Sequence, residues 1–264
     1  MVYYPLVSIV IPLYNSKDDI WGCLESIRNQ IYKNYEIVIV DDGSTDNSVI
    51  IVEEYIREHS DMRILLLRQE NSGPSKARNN GIANSKGEII AFIDSDDEWK
   101  TNKLSSIVSL FNNNEITLAS SLYSIGENEI FTNLDNSIEV ITLNKLLRKN
   151  YFITSGTVCR SNVFSEFMFN ESQKYSEDYR LWLEICSNNY KCVLLRSCLV
   201  KMNSKPIYGG SGLSSKLFEM EKGELCNYKH LFKLKYINLF QFFYAVILSL
   251  LKYVIRVINV RLKK

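Results

Sequence analysis

The chain has 264 residues, of which 46% are apolar and 23% are charged, so it can bury a substantial core. Its formal net charge of +1, without a nucleic-acid motif, excludes the usual signature of nucleic-acid binding. The six cysteines form no CxxC pair and meet only two histidines, so the spacing of a zinc site is absent. Pro5 and Pro12 interrupt the first apolar run, which is therefore not expected to be a signal peptide. We expect one large domain, or a domain with an appendage.

The first third of the chain alternates between short apolar runs and helical patterns. The apolar runs lie at residues 6–13, 35–40, 64–67 and 89–93. Three of them are rich in β-branched residues, and the run at 64–67 is Ile followed by three leucines; such continuous apolar runs suit strands buried on both faces. This alternation predicts a parallel, doubly wound sheet whose strands point their carboxyl ends into one ligand crevice.

The fourth of these runs ends abruptly in Asp94-Ser95-Asp96-Asp97. Carboxylates cannot be buried without partners, and a hard divalent cation takes oxygen ligands. Such a cation usually takes its remaining ligands from substrate phosphates, so the sequence predicts a metal-assisted site for a phosphorylated substrate. The alternative is that Asp97 caps a helix predicted over residues 99–111. Capping needs one acid, however, so a functional site explains three acids better.

A second acidic strand end and a basic helix support this interpretation. Asp41 and Asp42 end the second predicted strand, and Gly43 permits the turn that follows. Lys76 and Arg78 lie on the helix that precedes the fourth strand. Because both strand ends and this helix converge on the crevice, we predict a nucleotide-diphosphate site there.

Residues 175–185 are predicted to form a helix with an acidic start. Ser176 suits the N-cap position, and Glu177 and Asp178 fall in the first turn. Two interpretations stay open at this point. Acids in a first turn stabilise the helix dipole by about 0.3–1 kcal/mol each, or one of them is a general base at the rim of the crevice.

The second half of the chain is less regular. Weaker strand patterns occur at residues 116–123, 139–143, 154–159 and 191–200. Three cysteines spaced six residues apart are expected to pack in a core: Cys186, Cys192 and Cys198. Residues 203–215, rich in glycine and serine, are predicted to be an active-site lid, with a simple linker as the alternative.

The C-terminal tail is more apolar than the rest of the chain and is flanked by basic residues. Residues 237–251 carry no charge, and lysines and arginines flank them on both sides. Fifteen uncharged residues fall short of the roughly 20 that span a bilayer. A basic, aromatic-rich helix lying in the membrane interface fits this pattern better than a span. A helix packed on the domain or on a partner is the other interpretation.

Five motifs in this order carry a resemblance: LVSIVIPLYN, IVIVDDGSTDNS, NSGPSKARNNGI, FIDSDDEW and SEDYRLWL. Together they resemble the family 2 glycosyltransferases with the GT-A fold, over about residues 5–190. The resemblance implies an α/β, Rossmann-like, mostly parallel sheet flanked by helices, followed here by a C-terminal amphipathic helical tail. It implies a catalytic domain over residues 1–215 and a tail over residues 216–264. Within that domain, residues 1–100 form the nucleotide-sugar-binding half, and residues 101–215 form the acceptor-binding half and the lid loop.

The resemblance also implies an activity, a cofactor and roles for single residues. The family transfers a sugar from a nucleotide donor with inversion, usually with Mn²⁺ or Mg²⁺. Asp178 matches the catalytic base, and Asp96 matches the metal ligand on the diphosphate. Residues that match the donor-nucleotide pocket are Pro12, Tyr14, Asn15, Asp41, Lys76, Arg78, Asp94 and Asp96. Residues expected to support the site or to contact the acceptor are Asp42, Asp97, Glu177 and Trp182.

Within the donor pocket the matched roles differ. Asp41 matches the acid that binds the uracil ring in uridine-dependent members, which favours a UDP-sugar. Asp94 is implied to lie near the ribose, and Arg78 beside the nucleotide. Asp97 is expected to support or cap its turn, and Trp182 to pack against the site or against a sugar.

Many bacterial members of this family build O-antigen, capsule or other surface polysaccharide on a polyprenyl-diphosphate carrier. The resemblance, with the basic apolar tail, therefore implies a peripheral protein on the cytoplasmic face of the cell membrane with a lipid-linked glycan acceptor. A dehalogenase-type phosphatase is disfavoured because Glu98 stands where that family has Thr or Val. A sugar nucleotidyltransferase is disfavoured because the first strand and its loop hold no glycine. A catalytically inactive sugar-nucleotide-binding or membrane scaffold is the alternative from another class.

Overall fold

The computed structural model describes residues 4–126, 128–129, 135–202 and 216–262, so the predicted lid over residues 203–215 lies outside the described residues. In the first part of the chain, strands and helices alternate as predicted. The strands are β1 (Val7–Leu13), β2 (Tyr35–Asp41), β3 (Ile64–Arg68) and β4 (Ile89–Phe92). The helices between them are α1 (Ile20–Arg28), α2 (Ser48–Glu58) and α3 (Pro74–Ala83). The four strands pair in parallel in the order β3-β2-β1-β4, which confirms the doubly wound arrangement.

The second part of the chain extends the same sheet beyond β4. Its strands are β5 (Asp97–Trp99), β6 (Ile116–Ile125), β7 (Asn128–Glu129), β8 (Ile138–Val140), β9 (Val158–Arg160) and β10 (Lys191–Met202). Its helices are α4 (Lys103–Val108), α5 (Leu143–Leu146), α6 (Glu177–Ser187), α7 (Leu217–Lys233) and α8 (Leu239–Leu262). From β4 the order continues β9-β6-β10-β5, with β6 and β10 parallel and β9 and β5 antiparallel to their neighbours. The short β7 and β8 pair with β6 and β10 at the side of this path.

The helix predicted over residues 99–111 was wrong in its first part. Asp97–Trp99 is a strand that pairs antiparallel with the end of β10, and the helix begins only at Lys103. The indole Nε1 of Trp99 donates to the carbonyl of Ser155 at 2.7 Å, which fixes this segment against a distant part of the chain. Tertiary pairing therefore overrides the local helical preference here.

Helices cover both faces of the sheet, because successive side chains of a strand point to opposite sides. Ile9 and Ile11 of β1 pack with α1, α2 and α4 on one face, whereas Val10 packs with α6, α7 and α8 on the other. The three cysteines predicted to lie in a core are all buried. Trp182 of α6 is fully buried on the second face, between Phe92 and Phe169.

The C-terminal helices form an antiparallel hairpin on this second face. Tyr228 and Leu231 of α7 and Ala245 of α8 belong to the same core as Trp182. Glu221 of α7 is buried, and its carboxylate accepts hydrogen bonds from Ser249 Oγ and Arg256 Nη2 of α8, both at 2.8 Å. Apolar contacts thus dock the hairpin on the second face of the sheet, and the charged contacts of Glu221 join its two helices to each other.

The opposite face of α8 is apolar and exposed. Its exposed residues include Leu239, Phe240, Phe243, Ile247, Leu251, Val254, Ile255 and Ile258. The helix continues well past the uncharged run: Leu239–Arg261 has the length of a membrane span and contains an 18-residue stretch with a mean hydropathy of 1.7. The expectation that the apolar segment is too short to span was therefore wrong, and length does not separate a span from a helix at the surface.

Candidate functional site

The turn after β4 presents two of its aspartates and buries a third. The backbone N–H of Asp97 donates to the carbonyl of Asp94 at 3.0 Å, which closes the turn. Ser155 lies under it, where its hydroxyl accepts from the Asp94 N–H at 3.0 Å and donates to the Asp97 carboxylate. Asp97 is buried and lies in a strand, so the capping prediction was wrong, and this carboxylate supports the turn. Asp94 and Asp96 are half-buried.

Arg78 of α3 connects this turn to the acidic start of α6. Its Nη2 donates to Asp94 Oδ1 at 2.8 Å, and its Nη1 donates to Glu177 Oε1 at 3.1 Å. Burial favours the neutral form, but the carboxylates of Asp94 and Glu177 raise the pKa of Arg78, so the guanidinium stays charged. Only 5% of Arg78 is exposed, so it lies beneath the crevice as a bridge rather than on its surface.

Asp178 lies beside this bridge, in the first turn of α6. Its Oδ2 accepts from Thr154 Oγ1 at 3.3 Å, and its Oδ1 accepts from the N–H of Tyr179 at 2.7 Å. Burial raises the pKa of Asp178, with the negative charge of Asp94 adding to it, although the Tyr179 N–H opposes the rise. Asp178 as a residue is half-buried, so part of it stays accessible beside the bridge while burial raises the basicity of its carboxylate.

Glu177 is buried next to this group. Burial raises the pKa of Glu177, and the neighbouring negative charge of Asp178 raises it further. The positive charge of Arg78 acts in the opposite direction and lowers it. Its position in the ion pair gives it a structural role, whereas Asp178 faces the crevice. The general-base interpretation therefore concerns Asp178 rather than Glu177, and it stays a prediction.

The ends of β1 and β2 form the other side of the crevice. Asn15, with a φ of 50°, accepts a hydrogen bond from the N–H of Thr45 at 2.8 Å. Asp41 is buried and accepts from the N–H of Ser44 at 3.0 Å. Tyr14 is 49% exposed next to them, and Pro12 is partly buried at the end of β1.

Asp42 and Lys76 differ from one another in their surroundings. Asp42 is buried and accepts three hydrogen bonds, from Gln69 Nε2 and from the N–H groups of Ser72 and Gly73, all at 2.8 Å. These contacts hold the loop that begins α3, so this carboxylate supports the backbone. Lys76 is exposed on α3.

Two residues that sequence reasoning missed join these parts. Thr154 contacts Asp178, and its neighbour Ser155 contacts the turn at Asp94 and Asp97, so one short 3-10 helix (Thr154–Gly156) touches both acidic motifs. Thr154 and Ser155 are uncharged and lie outside the regular strands and long helices, so no charge pattern or periodicity in the sequence marks them as site residues. Trp182, by contrast, is fully buried, which agrees with the prediction that it packs against the site and leaves no exposed surface for the alternative contact with a sugar.

The oxygen-rich turn fits a divalent cation that is shared with a substrate. The residues that the structure describes contain no group of three or more His, Cys, Asp or Glu arranged to hold a metal ion. The described part of the chain therefore offers no closed cage by itself, and Asp96 supplies a half-buried residue with a carboxylate at the turn. Mg²⁺ and Mn²⁺ accept such a site when phosphate and water supply the other ligands.

A doubly wound sheet with acidic strand ends and a Glu-Asp helix start beside them is the arrangement that the resemblance to a glycosyltransferase catalytic domain predicts. Residues 8–172 match Glycosyl transferase family 2, and the chain belongs to that family. The UDP-Glc:alpha-D-GlcNAc-diphosphoundecaprenol beta-1,3-glucosyltransferase WfgD of Escherichia coli is 36% identical over 188 residues, which cover 70% of this chain and 71% of WfgD. A second UDP-Glc:alpha-D-GlcNAc-diphosphoundecaprenol beta-1,3-glucosyltransferase, WfaP of Escherichia coli, is 34% identical over 187 residues, which cover 70% of this chain and 72% of WfaP.

Solved structures confirm the GT-A fold. The crystal structure of Staphylococcus aureus TarS 1-349 in complex with UDP-GlcNAc has a TM-score of 0.70 at 20% identity and covers 85% of this chain and 66% of that one. The mannosyltransferase PcManGT from Pyrobaculum calidifontis, in complex with GDP-Man and Mn²⁺, has a TM-score of 0.70 at 19% identity and covers 88% of this chain and 65% of that one. At these identities the likeness concerns the fold alone.

Proposed function

We propose that this glycosyltransferase transfers a sugar with inversion from a nucleotide-sugar, with UDP favoured, to a hydroxyl of a lipid-linked glycan acceptor in surface-polysaccharide synthesis. The observation that carries the proposal is the Arg78 bridge, which joins the Asp94 turn to the Glu177 and Asp178 pair within one crevice. WfgD and WfaP are named for transfer from UDP-Glc to a diphosphoundecaprenol-linked acceptor. Their similarity to this chain supports the donor and acceptor classes proposed for it.

Asp178 is the general base in this proposal. Burial raises the pKa of Asp178, so its carboxylate binds a proton more strongly than an exposed one does. It removes the proton from the acceptor hydroxyl as that oxygen attacks the anomeric carbon. A single displacement of this kind inverts the anomeric centre, so an α-linked donor gives a β-linked product.

Donor binding is assigned to the strand ends. Asp41 and Asn15 lie at the ends of β2 and β1, where the nucleoside of the donor would bind, and Tyr14 offers an exposed ring beside them. Asp96 is the carboxylate that would hold Mn²⁺ or Mg²⁺. When bound, such an ion acts as a Lewis acid and neutralises the charge that develops on the leaving diphosphate.

The exposed face of α8 supports attachment to a membrane surface. Lys222 and Lys229 on α7 are exposed, and α7 packs along α8, so the hairpin cannot enter the hydrocarbon region without burying these charges. A helix with a broad apolar face that is docked on a charged neighbour instead suits the interface. The protein would then be peripheral on the cytoplasmic face of the membrane, where a polyprenyl-linked acceptor is found.

Release of nucleotide diphosphate from a panel of UDP- and GDP-sugars tests the activity. The assay would be run with Mn²⁺, with Mg²⁺ and with EDTA, in the presence of a diphosphoundecaprenol-linked GlcNAc acceptor. We expect metal-dependent turnover of one UDP-sugar that is lost in both Asp96→Ala and Asp178→Asn. Donor binding without turnover under all of these conditions would instead support the inactive scaffold.

A further inference from the structure

Helix α7 packs against the turn that leads into α6. Asn227 lies at the centre of this contact: its Nδ2 donates to the carbonyl of Ser176 at 2.9 Å, and its Oδ1 accepts from Gln173 Nε2 at 2.8 Å. Ser176 Oγ donates in turn to the carbonyl of Met220, at 3.1 Å. Asn227 is 1% exposed, so water cannot easily replace these hydrogen bonds if one partner is removed.

The turn itself has a backbone conformation that needs such support. Ser176 has a φ of 55° and a ψ of 30°, which is the left-handed region that residues with a side chain rarely adopt. Such a conformation persists where surrounding contacts hold it. Because Asp178 follows two residues later in the first turn of α6, the path of the chain through Ser176 sets where its carboxylate lies.

A glycine allows α7 to approach this closely. A Cβ atom on Gly223 would lie 2.4 Å from the carbonyl oxygen of Tyr175 and 3.4 Å from the Cβ of Ser176. The backbone of α7 therefore lies directly against the turn, over Tyr175 and Ser176. A glycine in the middle of a helix lowers the stability of that helix. Its presence here is consistent with a requirement for close contact between α7 and the turn.

We propose that α7 is a positioning element of the catalytic site: Asn227 holds the Ser176 turn and thereby places the Asp178 carboxylate for removal of the acceptor proton. This inference rests on the proposed function, because it takes Asp178 to be the base. Asn227 acts through the turn and does not contact substrate. The family match ends at residue 172 and therefore covers neither α7 nor the base.

The first test is Asn227→Ala in the full chain, with the steady-state kinetics of donor and acceptor measured separately. Loss of the amide removes one hydrogen bond from the carbonyl of Ser176, which keeps those from the N–H of Arg180 at 3.1 Å and from Gln173 Nε2 at 3.3 Å, and it also removes the bond between Gln173 and Asn227. The turn is then held less firmly and the base is displaced, while the donor pocket, on the other side of the crevice, is unaffected. We expect kcat to fall by about tenfold or more, because small misplacements of a catalytic group are costly. The affinity for UDP, measured by calorimetry, should change by less than about twofold.

Ser249→Ala is the matched control. It also removes one buried hydrogen bond from the hairpin, between Ser249 Oγ and Glu221 Oε1, but it has no contact with residues 173–176. We expect Ser249→Ala to lower the midpoint of thermal unfolding as Asn227→Ala does while keeping the wild-type kcat. An equal loss of kcat in both variants, or none in Asn227→Ala, would overturn the positioning role.

Gly223→Ala provides a second perturbation that leaves the amide of Asn227 intact. The added methyl group must displace the carbonyl of Tyr175, so we expect the same selective loss of kcat with UDP affinity unchanged. If Asn227→Ala does not fold, this variant alone decides the matter, and a wild-type kcat in it would overturn the inference.

A double-variant cycle separates this inference from the proposed function. In an Asp178→Asn background, Asn227→Ala should cause no further loss of the residual turnover, because its effect passes through the missing carboxylate. A further loss of tenfold would show that Asn227 acts elsewhere. If Asp178→Asn alone retained the wild-type kcat, the proposed base would fail. If it were inactive while Asn227→Ala and Gly223→Ala were not impaired, only the positioning role would fail.

Discussion

Arg78 Nη2 lies 2.8 Å from Asp94 Oδ1, and this contact joins the helix before β4 to the acidic turn after it. The same guanidinium holds Glu177 through its other terminal nitrogen, at 3.1 Å. Two acidic motifs that begin at Asp94 and Glu177, more than eighty residues apart in the sequence, therefore depend on one buried cation. Removing one partner of a buried ion pair leaves charge without compensation, which costs far more than the pair itself contributes.

Arg78→Met should accordingly lower the free energy of unfolding by about 3 kcal/mol or more. Arg78→Lys keeps the charge, but its compact ammonium cannot reach both carboxylates, so we expect a smaller loss of stability and still a loss of activity. Urea unfolding of both variants measures the first effect. The matched control is Arg68→Met, which breaks the exposed pair with Glu53 and should cost below about 1 kcal/mol. If Arg78→Met and Arg68→Met lowered the free energy of unfolding equally, the structural role of Arg78 as a buried bridge would be contradicted.

The pH dependence of turnover should report Asp178. Because a general base must be deprotonated, kcat/KM falls as the pH drops through its pKa, and burial places that pKa above the usual value of about 3.9. The hydroxyl of Thr154 donates to this carboxylate and opposes the rise. Thr154→Ala should therefore move the acidic limb of the profile to higher pH. Thr154→Ser retains the hydroxyl and should restore the wild-type limb, and an unmoved limb in Thr154→Ala would rule out Asp178 as the titrating group.

Lys103 should give the protein a pH-dependent stability. It is fully buried, where its ammonium donates to Ser121 Oγ and the carbonyl of Gly156, and burial lowers the pKa of Lys103 to about 7. The unfolded chain keeps the usual pKa of about 10.4, so between about pH 7 and pH 10 it binds more protons than the folded state. In that window the free energy of unfolding rises with pH, by at most about 1.4 kcal/mol per unit.

Lys103→Met removes this dependence. The difference in unfolding free energy between wild type and Lys103→Met should move in favour of the wild type as the pH is raised from 7 to 9. Denaturant titrations at several pH values measure it, with Lys86→Met, at an exposed lysine, as the control. A difference that stays constant with pH would mean that Lys103 titrates normally in the folded protein.

The exposed face of α8 should determine binding to membranes. Phe240 is 79% exposed and Ile247 is 57% exposed, so Phe240→Glu and Ile247→Glu change surface that makes little contact with the rest of the chain. Each removes apolar area from the interface and adds repulsion from anionic lipid, so we expect at least about a tenfold loss of binding to phosphatidylglycerol vesicles in co-sedimentation. Ile50→Glu makes the same change at a comparably exposed isoleucine on α2, and its binding should match the wild type. Equal losses in all three variants would leave α8 without a special role.

The parts that sequence predicted well are those that short-range patterns encode. The strands β1 to β4 could be predicted because each is a continuous apolar run. The acidic strand ends could be predicted because the aspartates directly follow such a run in the sequence. Asp97–Trp99 was missed because its strand partner, β10, begins about ninety residues later. Thr154 and Asn227 were missed for a similar reason: each is an ordinary polar residue until the fold brings it to Asp178 or Ser176. Long-range hydrogen bonds of neutral side chains leave no trace in composition or periodicity.

The docking of the α7–α8 hairpin has a practical consequence for work with shortened chains. Tyr228, Leu231 and Ala245 cover the side of the core that contains Trp182 and Phe92. A chain truncated before α7 would expose that surface to water, and its behaviour in fractionation would reflect aggregation of a damaged domain rather than release from lipid. A soluble form of this glycosyltransferase is therefore better obtained by polar substitutions on the outer face of α8, with both helices left in place.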